Sequence, residues 1–501
     1  MNIRKLLTRL VSLVLIAVFL PTVAMADTWY LEDGSITVSA TDSGQNVSQG
    51  GVTKADSAPV IRNRDSSAST TNNVTIRADT GATASVTLKD TNIDTTGGAG
   101  PKGAGDAAVR TEGGGNVNLN VELDNTLQSG NTHAGVEKGN GGNLTIGSES
   151  GSGQLVATGG DGGAGIGGGE NTGAENITIT GGDIFAIGNG GGAGIGGGWD
   201  CSASDITITG GNVTAVGKQD DPGRIGGAGI GGGGSQTSNA GSGTNIKITG
   251  GRVTAVGGNY SAGIGGGYGS NGENITISDA EVIAIGGTCS AGIGGGCRNL
   301  DSTAAGEGKN ISISGSANVK AAGGVGDSMD GAGAAIGAGG SHQGTTLVDA
   351  QEGDVGTSGL SPDGSVERLD PGTTFDIPQP KPRSSFLTAS AEPQPVKAAL
   401  YRVIDETGKA LPVETKQEDG VLLLTAQADI AILEGAISGL QTLQSRGIDT
   451  ITFTNGTISV SFSLAEVIAK GASSDVYRLT LSGGEANFTL ADADITALLG
   501  K

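Results

Sequence analysis

Apolar and polar residues alternate in short runs that recur along the middle of the chain. Ile177 and Ile179 share one face of an extended strand, and the run that contains Val213 and Ala215 alternates in the same way. A third run places Ile195 on the same side as the alanine two residues earlier. Three short strands per repeat, each with one or two inward apolar residues, predict a three-sided parallel coil with a narrow interior.

The spacing of the third run supports a repeat architecture. Its Ala-Gly-Ile blocks begin at positions 164, 193, 228, 262, 291 and 334, which gives steps of 29, 35, 34, 29 and 43 residues. A period near 30 with loop-sized variation is typical of a solenoid. We therefore predict a mainly β fold, a single-stranded parallel β-helix with three strands per turn over residues 58–345. The rule for parallel crossovers favours a right-handed coil.

A polar residue opens the first strand of each repeat. Stacked one rung apart, about 4.8 Å, such side chains can hydrogen-bond in a column. Several also read as N-x-Ser/Thr glycosylation acceptors, but the strand pattern favours the structural column. Its members are Asn143, Asn176, Asp205, Asn245, Asn274 and Asn310, and Asn73 and Asn116 extend it upstream.

Both ends of the chain depart from the repeat. Residues 1–26 combine a basic start, a short apolar stretch and a small-x-small cleavage site, as in a secretory signal peptide. Residues 27–57 are expected to cap the coil with Trp29, Leu31, Ile36 and Val38. Prolines mark residues 346–397 as a linker.

An α+β domain is predicted for residues 398–501. Ile430, Leu433, Ile437 and Leu440 follow helical spacing. Asn455-Gly456 between two alternating runs predicts a hairpin with a type I′ turn.

Composition narrows the possible functions. The chain has 96 glycines without a collagen period, 3% aromatic residues and a net charge of −22. The negative charge disfavours nucleic acid and anionic lipid as partners. Beyond the leader no segment is apolar enough to span a membrane. We expect an extracellular protein, secreted or associated with the cell surface, that is a monomer.

The three cysteines do not suggest a disulfide framework. Cys289 and Cys297 flank one predicted strand, whose extended ends would lie about 25 Å apart, so both are expected to be free thiols, as is Cys201. The glycine-rich block at 163–168 matches the dinucleotide fingerprint G-x-G-x-x-G, but it recurs in every repeat with no helix after it, so we reject a nucleotide site.

Candidate functional residues are few. Trp199 and Tyr268 each follow a triple glycine, two rungs apart in one column, and Tyr260 precedes the same block. Exposed aromatic residues on a rigid wall can stack on sugars, although they can also simply cover a corner of the coil. Asp220 and Asp221, one repeat after Asp200, form an acidic loop that is a candidate for calcium or for acid–base chemistry. The two histidines, at positions 133 and 342, lie at opposite ends of the predicted coil.

The repeated text Ala-Gly-Ile-Gly-Gly-Gly with Ile-Thr-Ile-Thr-Gly-Gly, over about residues 140–340, resembles glycine-rich β-helix repeats in secreted proteins of Gram-positive bacteria. These proteins are often labelled carbohydrate-binding. The resemblance implies a non-catalytic binding or adhesion protein with a polysaccharide or cell-surface glycan as ligand. Such a protein would require no cofactor, and the resemblance is compatible with bound calcium. The alternatives are a polysaccharide lyase or glycoside hydrolase built on the β-helix, and a structural surface spacer.

Overall fold

The structure is a computed structural model. It describes residues 26–97, 105–218, 225–235, 240–298, 304–343, 346–381 and 401–500, apart from positions 351, 354, 358, 407–410, 412, 419, 427, 446–447, 472–474, 483 and 492. The predicted signal peptide lies almost wholly outside the described residues. The chain divides into two compact units, residues 1–386 and 387–501.

The first unit is a three-sided coil of parallel strands, as the alternation predicts. Equivalent residues of successive rungs pair in register, so that Ile177 lies beside Ile206 and Ile206 beside Ile246. All three isoleucines are fully buried. Burying one such side chain contributes about 1.5–3 kcal/mol, and the interior is a continuous row of them.

The first sheet contains the strands that follow the Asn/Asp column. It comprises Thr28–Tyr30, Val60–Arg62, Thr83–Lys89, Asn116–Glu122, Leu144–Gly147, Ala174–Ile179, Ala203–Ile208, Gly243–Ile248, Gly272–Glu273, Thr276–Ser278, Gly308–Lys309, Ile311–Ser314 and Val355–Gly356.

The second sheet contains the middle strand of each rung. It comprises Asn92–Asp94, Asp124–Gln128, Gln154–Thr158, Asp183–Gly188, Asn212–Gly217, Arg252–Val256, Glu281–Ile285, Asn318–Ala322 and Ser365–Leu369.

The third sheet changes along the coil, because its strands shorten from six residues to two. They are Ile36–Thr41, Val74–Ala78, Val109–Glu112, Val136–Lys138, Ile166–Gly167, Ile195–Gly196, Ile230–Gly231, Ile264–Gly265, Ile293–Gly294 and Ile336–Gly337. An antiparallel pair, Gly44–Gln49 and Val52–Ala55, extends this sheet at the N-terminal end. A short hairpin, Ser341–Gln343 with Thr346–Val348, lies near the other end.

The Asn/Asp column has two physical causes. Asn245 Nδ2 donates to Asp205 Oδ1 (3.1 Å). In the same way Asn274 Nδ2 donates to Asn245 Oδ1 and Asn310 Nδ2 donates to Asn274 Oδ1, each at 3.0 Å. The φ angles of Asn176, Asp205, Asn245, Asn274 and Asn310 lie between 53° and 57°, a left-handed conformation that Asn and Asp tolerate best among non-glycine residues. Asn143 instead donates to Thr145 and accepts from Thr178.

The coil extends beyond both ends of the range predicted for it. Thr28–Tyr30 is already a first-sheet strand, and Ile36–Thr41 is a third-sheet strand within the region expected to be only a cap. Leu31, Ile36 and Val38 are buried there. At the other end, Ser365–Leu369 pairs with Asn318–Ala322, so the first part of the expected linker is a further rung.

The rest of that linker within the described residues forms a strap, residues 372–381. Its first residue, Gly372, donates from N–H to the Gly323 carbonyl oxygen. At its other end, Lys381 N–H donates to Gln154 Oε1 (2.9 Å), and the lysine is ion-paired with Asp183. The strap therefore crosses the outer face of the second sheet. Outward-facing residues of that sheet are correspondingly buried, with Phe185 5% exposed and Thr254 2% exposed.

The described residues of the second unit form two sheets and two α-helices, consistent with an α+β domain. One sheet contains Arg402–Ile404, Ile430–Ala436, Val476–Ser482, Glu485–Leu490 and Ala493–Asp494, and the other contains Val413–Glu418, Val421–Ala426, Thr450–Thr454 and Ser459–Ser463. The α-helices are Ile437–Ser445 and Leu464–Ile468, and 3-10 turns lie at Leu31–Asp33 in the first unit and Thr496–Leu498 in the second.

Two local predictions for this domain are wrong. The segment from Ile430 is a strand up to Ala436, and the helix begins only at Ile437, because pairing with Val476–Ser482 overrides the helical spacing. The hairpin forms, but Thr454 pairs with Ser459, which leaves a four-residue loop in place of the two-residue turn. Asn455 Oδ1 accepts from the N–H groups of residues 457 and 458 and so holds the wider loop.

Candidate functional site

The glycine-rich block of each repeat is a closed loop, not an extended strand. In one copy Ala193 N–H donates to the Gly197 carbonyl oxygen (2.9 Å), so the chain doubles back around the two-residue strand Ile195–Gly196. Gly196 has φ +140°, and a Cβ there would lie 2.0 Å from the Gly231 carbonyl oxygen of the next rung. Glycine is therefore required at this position for both conformation and space.

This geometry overturns the expectation for two of the cysteines. Cys289 and Cys297 form a disulfide, with their Cα atoms 5.1 Å apart. The prediction failed because it assumed an extended strand between them, whereas the glycine loop returns its two ends to the same place. Among the described residues, Cys201 is the free cysteine. Burial, followed by the charge of Asp200, raises the pKa of the Cys201 thiol.

The candidate aromatic residues lie at the mouths of these loops. Tyr260 and Tyr268 close one loop as a ring pair, 5.6 Å between centroids, at positions equivalent to the disulfide of the next rung. Tyr268 is only 6% exposed and packs in a cluster with Cys289 and Cys297, so its expected exposure is wrong.

The other two candidate aromatic residues, Tyr260 and Trp199, also contact neighbouring parts of the coil. The Tyr260 hydroxyl donates to Asp327 Oδ2 (3.2 Å). Trp199 is half-buried against Gly191, where a Cβ would lie 2.0 Å from the indole ring. The three aromatic residues thus cover the corner of the coil. Trp199 and Tyr260 are only partly accessible to solvent.

Asp200 is the one member of the predicted acidic loop that lies within the described residues. Asp220 and Asp221 lie outside the described residues. The Asp200 Oδ1 atom is buried, and no hydrogen-bond partner for it occurs in the described part of the chain. Calcium takes six to eight oxygen ligands, and this one carboxylate does not supply them. Bound calcium therefore stays an expectation from resemblance.

A second group has metal-binding atom types. Within the described ranges, Cys289, Cys297 and Asp330 are the one set of three such residues whose ligand atoms lie within 4.8 Å of one another. The two sulfur atoms are bonded to each other, and Arg298 Nε donates to Asp330 Oδ1 (2.7 Å). These partners make the group a structural clasp for the loop that contains Asp330.

The outer face of the first sheet is the polar wall of the coil. We define the first wall as Asn118, Asn120, Thr145, Thr178, Thr180 and Thr207, all exposed or half-buried. An open groove of about 200 Å³ crosses it, lined also by Ser148 and Glu149. The strap crosses the second sheet, and glycine loops form the third side from residue 164 onward, whereas the first wall presents a row of uncharged polar side chains to solvent.

A cluster of charged residues that sequence reasoning missed lies on the third side of the early rungs. Arg110 Nε donates to Glu137 Oε1 (3.0 Å), and the guanidinium also donates to Asp106 Oδ1 (3.0 Å). His133 Nδ1 lies 2.6 Å from Glu137 Oε2. Arg110 and Glu137 are paired residues on neighbouring strands, each directly after the inward valine. That register was readable from the degenerate third strands and would have placed them together.

The position of Glu137 determines its protonation. Burial raises the pKa of the Glu137 carboxyl, but the hydrogen bond from His133 and the charges of His133 and Arg110 outweigh burial, so the pKa lies below its ordinary value. Glu137 is therefore a carboxylate at neutral pH. The short contact between Nδ1 and Oε2 favours the tautomer of the neutral imidazole that has its proton on Nδ1.

Comparison with known proteins supports the repeat architecture. A family model described as a beta helix repeat matches residues 177–199, 206–234, 246–268 and 275–297. This match lies within the parallel coil of the first unit and supports its interpretation as β-helix repeats. No curated protein and no solved structure gives a significant match. In the described ranges, no helix has the length and apolar character needed to cross a membrane.

Proposed function

We propose that this chain is a non-catalytic binding or adhesion protein outside the cell, with a polysaccharide as its favoured ligand. The observation that carries this proposal is the first wall, a polar surface on strands that pair in register from rung to rung. Its hydroxyl and amide groups repeat at the rung spacing, about 4.8 Å. Groups fixed in this way lose little conformational entropy when they hydrogen-bond a ligand.

The side chains of the wall are held by their neighbours. Asn120 Nδ2 donates to Thr87 Oγ1 on the preceding rung (3.3 Å), and Thr178 Oγ1 donates to Asn143 Oδ1 (3.2 Å). The wall contains no cluster of positive charge among the six residues that define it. With a net charge of −22, the chain favours neutral or cationic glycans over nucleic acid and anionic membranes.

A glycan array and polysaccharide pull-down with the full-length protein test the proposal. We expect retention on a neutral polysaccharide, and we expect Thr178→Arg to weaken it at least about tenfold by placing a bulky charge on the wall. Thr374→Arg is the matched control, because Thr374 is exposed on the strap and outside the wall. Absence of binding to every glycan, with and without calcium, would favour the structural spacer instead.

One observation favours an enzyme as the second candidate. His133 is oriented by Glu137 at 2.6 Å, the arrangement of a general base and its orienting carboxylate. Incubation with polygalacturonate and with neutral polysaccharides, followed by assay for unsaturated products and reducing ends, separates the candidates. Product formation that is lost in His133→Phe would establish catalysis and contradict the non-catalytic proposal.

A further inference from the structure

The third side of the first rungs contains a polar corner that the glycine rungs lack. We define the polar corner as Ser35, Asn73, Asp106, Arg110, His133 and Glu137. The first three lie close before the third-sheet strands Ile36–Thr41, Val74–Ala78 and Val109–Glu112, and His133 has the same place before Val136–Lys138. In later rungs the equivalent corner contains only small residues, with glycine and alanine at 163–164 and 192–193 and serine and alanine at 261–262 and 290–291.

An open cavity lies in this corner. Its volume is about 400 Å³, within the range of small-ligand sites, and it is lined by Ser35, Thr71, Asn73, Thr95 and Asp106. Hydroxyl, amide and carboxylate groups therefore converge on one space. Groups of this kind bind hydroxyls, because they supply both hydrogen-bond donors and acceptors.

The charged groups next to the cavity are preorganised. Asp106 is held by Arg110 at 3.0 Å, Arg110 by Glu137 at 3.0 Å, and Glu137 also accepts from the Ala134 N–H (3.3 Å). The side chain of Glu137 is 15% exposed, that of Arg110 27% and that of Asp106 56%, so the network is shielded at Glu137 and open to solvent at Asp106. Fixed partners lower the entropic cost of binding a ligand.

His133 adds an acceptor that is free to bind. In the neutral imidazole, whose single N–H proton lies on Nδ1 toward Glu137, the Nε2 atom presents a lone pair. Among the described residues, no group forms a hydrogen bond with Nε2, and the side chain is 24% exposed. Arg110 Nη2 lies 3.3 Å from Nδ1 and thus flanks the ring on the side of the cavity residue Asp106.

The ligand class follows from the charge balance. The positive charge of Arg110 is matched by two carboxylates, which leaves no unpaired cation for an anionic sugar. We propose that the polar corner binds one neutral sugar residue, whose hydroxyls donate to Asp106 and to His133 Nε2. This inference rests on the proposed polysaccharide-binding function and adds a second contact point, away from the first wall.

Isothermal titration with the full-length protein tests the site. The sugars are methyl glycosides of glucose, galactose, mannose and xylose, with galacturonate as the anionic comparison. We expect one neutral glycoside to bind, and Asp106→Ala and His133→Phe each to weaken it at least about tenfold. Glu281→Gln is the control, because Glu281 is the exposed partner of Arg252 on the second sheet. Thermal unfolding of each variant verifies that it folds.

The outcomes separate this site from the wall. Polysaccharide binding that survives both corner variants unchanged, together with no glycoside binding by the unaltered protein, overturns the corner site and leaves the proposed function in place. Galacturonate binding as tightly as the neutral glycosides overturns the choice of ligand class. If neither polysaccharide nor glycoside binds, both proposals fail together.

Discussion

In the early rungs, residues 28–147, the third side is made of strands with side chains, and in the glycine rungs, residues 164–340, the same side is a stack of loops with almost none. Both regions must satisfy the backbone groups that the corners bury. The early rungs do so with side chains: Asn125 Oδ1 accepts from both the N–H and the hydroxyl of Thr91, and Asn140 Nδ2 donates to the Gly115 carbonyl oxygen.

The glycine rungs satisfy such groups mainly with other backbone groups, although Ser261 Oγ donates to the Gly226 carbonyl oxygen and Ser290 Oγ accepts from the Cys297 N–H. Gly194 and Ile195 donate to the carbonyl oxygens of Ala228 and Gly229 on the next rung, and this pattern recurs along the coil. The difference separates two tasks. Tight glycine loops leave few side chains on the third side apart from the aromatic residues and the disulfide at their mouths, whereas the early rungs have space there for charged groups and a cavity. The chemistry of this coil is therefore concentrated where the repeat is least regular.

The largest expected effect comes from adding a side chain to the glycine stack. Gly196→Ala should destabilise the coil by at least about 3 kcal/mol, because the methyl group meets the Gly231 carbonyl oxygen and the φ of +140° disfavours any L-residue. Urea unfolding of the full-length protein measures the change.

Thr75→Ala is the matched control for Gly196→Ala. Thr75 occupies the position equivalent to Gly196, because successive strands pair these residues in register through Arg110, Glu137 and Gly167. Thr75 lies in an early rung, where this position accommodates a side chain. We expect a change below about 0.5 kcal/mol. Equal effects of the two substitutions would show that the two regions do not differ as described.

The disulfide gives the next largest effect. Replacing both Cys289 and Cys297 by serine should cost about 2.5 kcal/mol, the loop-closure value for a separation of 8 residues. Cys201→Ser should leave the unfolding free energy nearly unchanged, because that thiol is free. Mass spectrometry of the alkylated protein, without reduction, should find one modified cysteine; three would contradict the pairing.

The Asn column tests what is common to both regions. Asn274→Ala should cost about 1–2 kcal/mol, because it removes the hydrogen bonds to Asn245 and Asn310 and places alanine at φ 56°. Asn274→Gly keeps the left-handed conformation and removes only the hydrogen bonds, so it should cost less. If glycine costs more than alanine in chemical denaturation, the backbone conformation is not what selects asparagine here.

Sequence reasoning succeeded where a period specifies structure. Inward isoleucines such as Ile177 and Ile206 predicted the strands and the coil, because period-2 alternation determines which face is buried. It failed at the glycine block, since glycine has no side chain to show a pattern and permits both extended and left-handed backbone. From that one error followed the wrong expectations for Cys289, Cys297 and the exposure of Tyr268.

The candidate site was less predictable for a different reason. Arg110, His133 and Glu137 come from two rungs, and only the register of the third sheet brings them together. In the degenerate early repeats that register is marked only by the inward valines Val109 and Val136. The strap was read as a linker because its prolines indicate extended chain but not what the chain lies against.

The smallest effect is the pH dependence of the early rungs. The folded-state pKa of Glu137 lies below its ordinary value of 4.5, so the carboxylate contributes stability above that pH and loses it as the pH falls further. Below about pH 4.5 the unfolding free energy of the unaltered protein should fall as Glu137 is protonated. We expect Glu137→Gln to reduce that fall by less than about 1 kcal/mol. The exposed Glu281→Gln variant is the control in thermal unfolding between pH 3 and pH 7. An unchanged slope in Glu137→Gln would mean that the His133 and Arg110 contacts do not stabilise the charged carboxylate, and that the polar corner is less rigid than its hydrogen bonds indicate.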